Sequence, residues 1–404
     1  MKVLFINQVY PPDPAATGQQ QAALAEALVK EGHEVTVVTS RRGYDNPSLS
    51  YPKKELKNGV KIRRVWHAGL GKSAKWKRAI DFATYALSCF FELLKLQKHD
   101  VIVTLTTPPL ISVLGVLFSK AWQARFVYWI MDLNPDEAIA AGWLAEESAP
   151  AKILEKVSRL SLNAAQAAIV LDSFMAERIR LKGVEEDKIH ILPPWALREG
   201  GAYDLRGRET FRREHRIEDR FVIMYSGNHS PCHPLDTVLQ AALKLREDRE
   251  VLFCFVGGGT EYKKVQAFRE ANGLTDQILC LPYQPFEKLA ASLSSADLHL
   301  VVMGNPFVGM IHPCKIYNVM SLGIPCICLT PRPSHLTELV DAVADDEAMR
   351  AISHGEVEKL VEAILHFKAK GKGRRSHKMI EVASRYTEAE LIPKHIQVII
   401  GDGA

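Results

Sequence analysis

The chain has no Cys-x-x-Cys pair, no Gly-x-Gly-x-x-Gly run and no Asp-x-Asp step after an apolar strand. Its seven cysteines are scattered, apart from Cys326 and Cys328 inside one apolar run. That pattern argues against a zinc site or a disulfide framework and for a reducing cytosol. Excess charge of one sign is also missing. Fifty-one basic against 47 acidic residues leave +4 over 404 residues, so nucleic acid is not an expected partner. The N-terminal apolar stretch is too short for a secretion signal before Pro11 and Pro12. The apolar segment 79–96 is short for a membrane span and is interrupted by Asp81 and Glu92. What remains is an ordinary globular composition, 47% hydrophobic and 24% charged, with length for two or three domains.

Strand and helix periods alternate along the chain. Residues 3–6 are wholly apolar and read as a buried strand, and 20–31 carry a helical stripe of Ala23, Leu24, Ala27 and Leu28. Further strands are expected at 35–39, 101–105, 126–130, 168–171 and 189–192. A second series runs 221–225, 252–256, 278–281, 298–302 and 325–329, with helices between. The fold class is α/β, with two successive parallel-sheet, Rossmann-like domains. Ligands bind at the carboxyl ends of such strands, so the cleft where two sheets face each other is the expected site.

Several loops carry candidate chemistry. Thr17, Gly18 and Gln19 lie in a loop read over 13–21, where a glycine lets the backbone approach a ligand; a plain turn is the alternative. The turn Ser226, Gly227, Asn228, His229 and on to His233 follows a strand and precedes a helix. Its N–H groups and two histidines suit a diphosphate, and its alternative is a solvent-facing turn. Gly258 belongs to a second glycine run of the same kind. In 303–320, Lys315 falls in the first turn of a helix over 315–322, where the dipole disfavours a cation unless an anion shares the site; Asn318 lies on the same face. Asp132 ends a buried strand, and either binds a hydroxyl, acts as a base or caps the next helix. Lys72, Lys75, Lys77 and Arg78, with Trp76, precede the apolar helix bearing Phe82, Tyr85, Phe90 and Phe91, which has the makings of an interfacial membrane contact; a core helix is the alternative.

Together these segments resemble the glycosyltransferase family 4 enzymes of the GT-B fold, nearest the bacterial branch of capsule, colanic-acid and O-antigen synthesis. The likeness rests on Pro313-Cys314-Lys315-Ile316-Tyr317-Asn318-Val319-Met320 with Gly323, on Tyr225-Ser226-Gly227-Asn228, on Asp132 to Asp136, and on Ile191 to Trp195. There are departures. Two glutamates that many members carry eight residues apart are Met310 and Asn318 here. An arginine after the Ser-Gly-Asn turn is replaced by Pro231-Cys232-His233, and a histidine before Asp132 is Met131.

The resemblance implies an acceptor-binding domain over 1–197, a nucleotide-sugar-binding domain over 198–375, and a C-terminal helix in 376–404 crossing back. It implies transfer with retention from a nucleoside-diphosphate sugar, a UDP-sugar, to a glycan or polyprenyl-diphosphate-linked acceptor. Lys315, His233 and Asp132 are the expected catalytic residues. The donor is expected at the Ser226–His233 turn, Gly258, Tyr283, Gln284, Ile311, His312, Pro313 and Asn318; Thr17, Gly18 and Gln19 are expected to bind substrate, with the acceptor entering past Gly18 and Asp132. No cofactor or metal is expected. The enzyme is expected in the cytoplasm, peripheral at the anionic inner face of the plasma membrane. A sugar-nucleotide 2-epimerase and a non-catalytic sugar-nucleotide binder are the competing readings.

Overall fold

The computed structural model describes residues 1–401 apart from 14, 45, 72, 73 and 198–200. Lys72 of the basic cluster and the expected boundary at 197/198 therefore touch residues outside the described set. The chain forms two compact units, Met1–Pro194 with Glu388–Ala404, and Trp195–Thr387.

The first unit is an eight-stranded sheet. Its strands are β1 (Lys2–Ile6), β2 (Glu34–Ser40), β3 (Lys54–Lys57), β4 (Val60–Val65), β5 (Val101–Thr104), β6 (Arg125–Trp129), β7 (Ala167–Val170) and β8 (Ile189–Ile191), in the order β3-β4-β2-β1-β5-β6-β7-β8. All neighbours are parallel except the β3–β4 hairpin. β1 and β5 are buried along almost their whole length because helices cover both faces, which is why they read as continuous apolar runs. Helix Glu388–Ile400 belongs to this unit: Arg125 donates to Val398 O at 3.2 Å, and His395 packs 5.2 Å from the Trp129 ring. The returning segment is thus shorter than 376–404, since helix His377–Ala383 stays in the second unit.

The second unit is six parallel strands: β9 (Phe221–Asn228), β10 (Val251–Gly258), β11 (Ile278–Leu281), β12 (Leu298–Val302), β13 (Cys326–Leu329) and β14 (Met349–Ile352), ordered β11-β10-β9-β12-β13-β14. β9 and β10 run further than their apolar stretches: Ser226, Gly227 and Asn228 pair with Val256, Gly257 and Gly258. The expected turn therefore begins about three residues later. Gly257 makes this extension possible. Its φ is +136°, and a Cβ there would lie 2.0 Å from Gly227 O. At the amino end of the sheet, Asp297 is fully buried but accepts from Arg208, Arg212, Val222 N–H and Gly373 N–H, all within 3.0 Å. Charge buried in this unit's frame is fully paired there.

Among the described residues no helix is long and apolar enough to cross a membrane. Helix Lys75–Leu93 buries Asp81, Tyr85, Cys89 and Leu93 on one face. Its other face exposes Trp76, Ile80, Leu87 and Phe91, continued by Leu94. Tyr85 and Phe90, expected to add apolar surface outside, instead pack on the core cluster of Leu4, Ile102 and Phe118. Phe82 lies beneath the Arg78 guanidinium.

Candidate functional site

In the second unit the strand order reverses between β9 and β12, and the loops that follow these two strands carry the candidate residues. They are joined by Gly304 N–H donating to Cys232 O at 2.8 Å. Helix Lys315–Leu322 begins at Lys315, after the loop 303–314. Its ammonium reaches back toward β9. Nζ stands 3.8 Å from the Tyr225 ring centroid, and 3.0 Å from where a Cβ on Gly227 would lie. The Nζ atom is buried and has no hydrogen-bond partner. Burial pulls the Lys315 pKa down to about 7, against an ordinary value of 10.5. The contrast with Asp297 and its four donors is informative. An unpaired buried cation beside backbone N–H groups and a helix N-terminus is what an anion-binding site looks like.

The histidines behave differently from expectation. His233 Nδ1 lies 2.7 Å from Val302 O, so this nitrogen carries the proton and donates. Burial and the neighbouring Lys315 push its pKa down to about 3. The neutral ring then offers Nε2 as an acceptor, which suits a hydroxyl and not a phosphate oxygen. His229 is held inside the turn and does not face solvent. It is fully buried, donates from Nδ1 to Gly227 O at 2.8 Å, and lies among the rings of Tyr225, Phe255 and Tyr262. It braces the turn through Nδ1, and its other ring nitrogen, Nε2, is buried without a hydrogen-bond partner among the described residues.

Tyr283, just beyond β11, is exposed, and its ring edge would lie 3.2 Å from a Cβ on Gly258. Ser226 and Gly227 are half-buried, Asn228 is exposed, and Gln284 is half-buried with its Nε2 on Pro282 O. Asn228, Gly258 and Tyr283 thus share the carboxyl end of β9–β11, a flat aromatic beside an open backbone edge. Ile311, His312 and Pro313 are buried inside their loop. His312 Nε2 pairs with the Tyr317 hydroxyl at 2.8 Å, and its ring stacks on His335 at 4.0 Å. Asn318 Oδ1 accepts from Leu197 N–H at 2.8 Å, so that oxygen is committed to the backbone.

In the first unit, helix Ala16–Lys30 starts earlier than its stripe suggests, so Thr17, Gly18 and Gln19 occupy its first turn and not a loop. Gly18 is buried, and a Cβ would come within 3.2 Å of the Tyr10 backbone. Its absent side chain serves this packing. Gln19 Nε2 donates to Asp13 O at 2.9 Å. Asp132 does not cap the next helix: the N-cap of Asp136–Ala140 is Pro135, with no side-chain bond. Desolvation, with Glu137 adding, raises the Asp132 carboxyl to about 8. Lys75 and Arg78 lie against Trp143, the former donating to its carbonyl at 3.0 Å.

Sequence reasoning passes over Gln8 and Thr106, buried at the carboxyl ends of β1 and β5, and Glu261, buried in the first turn of helix Thr260–Ala271 and paired to Lys264 at 2.6 Å. The available signal for Gln8 is a pair of amides, Asn7 and Gln8, directly after a wholly apolar strand.

Residues 16–195 match the glycosyl transferase 4-like domain, and residues 207–386 match the glycosyl transferases group 1 domain. The putative colanic acid biosynthesis glycosyl transferase WcaI of Escherichia coli (strain K12) is 26% identical over 339 residues, covering 80% of this chain and 82% of the relative. The probable glycosyltransferase WbjE of Pseudomonas aeruginosa is 21% identical over 61% of each chain. Among solved structures, sucrose-phosphate synthase from Thermosynechococcus elongatus superimposes with TM-score 0.77 at 15% identity over 98% of both chains. Anabaena Alr3699/HepE, in complex with UDP and glucose, gives 0.75 at 13% over 99% of both. Two matched domains that together span most of the sequence, on two parallel-sheet units, place this chain among the family 4 glycosyltransferases of the GT-B fold.

Proposed function

We propose that this glycosyltransferase moves a sugar from a UDP-sugar to a hydroxyl of a polyprenyl-diphosphate-linked glycan in cell-surface polysaccharide synthesis, with retention and without a metal. One observation carries the donor side: the Lys315 ammonium, buried and unpaired, beside Gly227 at the end of β9. A donor diphosphate would supply its missing partner, with the helix N-terminus behind it. The base would stack on Tyr283 over Gly258. The HepE structure solved with UDP and glucose supports UDP as the nucleotide, and the WcaI name supports the polysaccharide context.

In this reading the bond between the anomeric carbon and the β-phosphate oxygen breaks while Lys315 stabilises the departing charge. The acceptor hydroxyl adds from the same face, and its proton passes to the leaving phosphate oxygen. Retention through such a route needs no carboxylate in the second unit, which agrees with Met310 at one of the two positions where the family resemblance leads one to expect glutamate. His233 Nε2 would accept a hydroxyl of the transferred sugar. Lys315 takes the charge-neutralising part, so full turnover in excess chelator is expected.

The lipid side rests on helix Lys75–Leu93. Its exposed stripe of Trp76, Ile80, Leu87 and Phe91, with the exposed Lys75 in its first turn, matches an interfacial contact with an anionic leaflet. The deciding experiment combines UDP release with anomeric analysis of the product by NMR, for wild type and Lys315→Ala. Unchanged turnover in the variant refutes the donor assignment. An epimerised donor, or no UDP release with any sugar nucleotide, would favour the competing readings.

A further inference from the structure

β9 ends in Tyr225, Ser226, Gly227 and Asn228, so Tyr225 and Gly227 stand on the same face of the second sheet. The Lys315 side chain lies along that face. Its Nζ is 3.8 Å from the Tyr225 ring centroid, and a Cβ on Gly227 would come within 3.0 Å of Nζ and 3.2 Å of Cε. The ring walls the lysine's slot, and the missing side chain of Gly227 leaves it room toward the strand end. Tyr225 is itself held in place. It is fully buried, its hydroxyl donates to Asn228 O at 2.9 Å, and the His229 ring meets it edge-on with centroids 4.7 Å apart. No described residue gives Nζ a hydrogen bond. Its titratable neighbours supply no counter-charge from the turn: burial, with Lys315 adding, pushes His229 and His233 each down to about 3, so both rings are neutral. Cys314 precedes Lys315 on its own helix, and Cys232, Glu261 and Tyr283 act on the Tyr225 side from the neighbouring loops. Glu261 is paired to Lys264.

We infer that Tyr225 is a positioning residue for the donor: its ring face keeps the Lys315 ammonium charged and aimed along β9 toward the place of the diphosphate. The inference rests on the reading that Lys315 meets the donor diphosphate. A buried cation without a counter-charge either gives up its proton or turns out to water. A π face attracts the cation while carrying no net charge of its own. A carboxylate in the same place would pair with the lysine permanently and repel the incoming phosphates. The ring therefore offsets part of the desolvation and leaves the ammonium's hydrogen-bond donors to the ligand. Burial draws the Lys315 pKa to about 7 with the ring in place, so the ring sets how much of the lysine is charged near neutral pH.

The test follows Lys315 by NMR in the full chain carrying lysine labelled with carbon-13 at Cε, the Lys315 signal being assigned by its loss in Lys315→Met. UDP-glucose is titrated by calorimetry on the same samples. In wild type the Cε protons should show ring-current shielding and titrate near pH 7. Tyr225→Phe keeps the ring and should keep both signatures. Tyr225→Leu should lose the shielding, with a midpoint about one below that of wild type. The charged fraction at pH 7 then drops from about one-half to about one-tenth, so UDP-glucose affinity should fall about fivefold, and the gap should close toward about pH 5. If Tyr225→Leu fails to fold, replacing Tyr225 by phenylalanine with one to three ring fluorines keeps the shape and weakens the face, and the midpoint should fall with each fluorine. An unchanged midpoint in Tyr225→Leu or along the fluorinated series overturns the inference. So does an affinity loss as large at the acid end as at neutral pH. Lys315→Met separates the two readings. If it binds UDP-glucose as wild type does, the donor reading fails; if it loses the donor while Tyr225→Leu keeps wild-type affinity and midpoint, the Tyr225 assignment fails alone.

Discussion

Replacing Lys315 by methionine should make the protein more stable while removing donor binding. In the folded chain burial holds the Lys315 pKa at about 7, against 10.5 for a free lysine. A folded pKa below the unfolded one means that the unfolded chain binds more protons, so this group's cost to folding is full at and below pH 7 and fades as pH rises to about 10.5. At pH 7 the ceiling on that cost is about 4 kcal/mol, from roughly 1.4 kcal/mol for each tenfold loss of proton affinity on folding. Loss of the cation–π contact with Tyr225, 3.8 Å away, gives back about 1–2 kcal/mol. A net gain of about 2 kcal/mol is therefore expected for Lys315→Met in urea unfolding at pH 7. The difference from wild type should shrink toward pH 10. In parallel, UDP-glucose affinity should fall about 10- to 100-fold, the range of a lost charge-assisted contact. A destabilised variant, or a stability difference that does not change with pH, would show that the ammonium is satisfied in the fold and would refute the argument for a missing anion.

The lowered Lys315 pKa makes donor binding itself pH-dependent. A diphosphate raises that pKa, so UDP-glucose affinity should fall by up to about tenfold for each pH step of one above pH 7, with about 0.9 proton taken up at pH 8 in calorimetry across buffers of different ionisation heat; a flat profile from pH 7 to 9 counts against it. For the exposed stripe, Leu87→Asp with Phe91→Asp should abolish sedimentation with anionic vesicles while the unfolding midpoint stays within about 0.5 kcal/mol per site of wild type; retained binding would remove helix Lys75–Leu93 from the lipid contact. Gly257→Ala should cost more than about 2 kcal/mol, because its Cβ would sit 2.0 Å from Gly227 O at a φ of +136°; wild-type stability would mean that β9 and β10 do not pair to their ends.

Strand alternation is legible because helices bury both faces of these sheets, leaving runs such as 3–6 and 101–104 with little polar punctuation. The β3–β4 hairpin and β14 escape the pattern for the same reason in reverse. β3 is a polar edge strand, and β4 mixes charge into its pattern, with Lys61 exposed between buried Val60 and Ile62. Helix Ala16–Lys30 begins before its apolar stripe, because its first turn presents Thr17, Gly18 and Gln19, residues whose propensities say loop. Packing of Gly18 against Tyr10 overrides them.

The site divides along similar lines. Lys315 is legible because a cation at a helix N-terminus contradicts the dipole, and such a local conflict needs a partner to resolve it. His229 and His233 are indistinguishable in one dimension. Only three-dimensional neighbours place one among Tyr225, Phe255 and Tyr262, and lock the other's Nδ1–H on Val302 O, which turns an expected phosphate donor into a hydroxyl acceptor. Gln8 shows the remaining limit. Its type and its place after an apolar strand are visible, but its importance comes from strand order, which sets β5 beside β1 although residues 7–100 separate them in the chain. Both sheets reverse their order at the strand that opens each unit, β1 and β9, and each reversal holds a buried polar atom that the fold itself does not pair: Gln8 Oε1 in one, Lys315 Nζ in the other. Under the proposed donor reading the ammonium at the second suits a diphosphate leaving group, because a buried cation without a hydrogen-bond partner is stabilised by an anion.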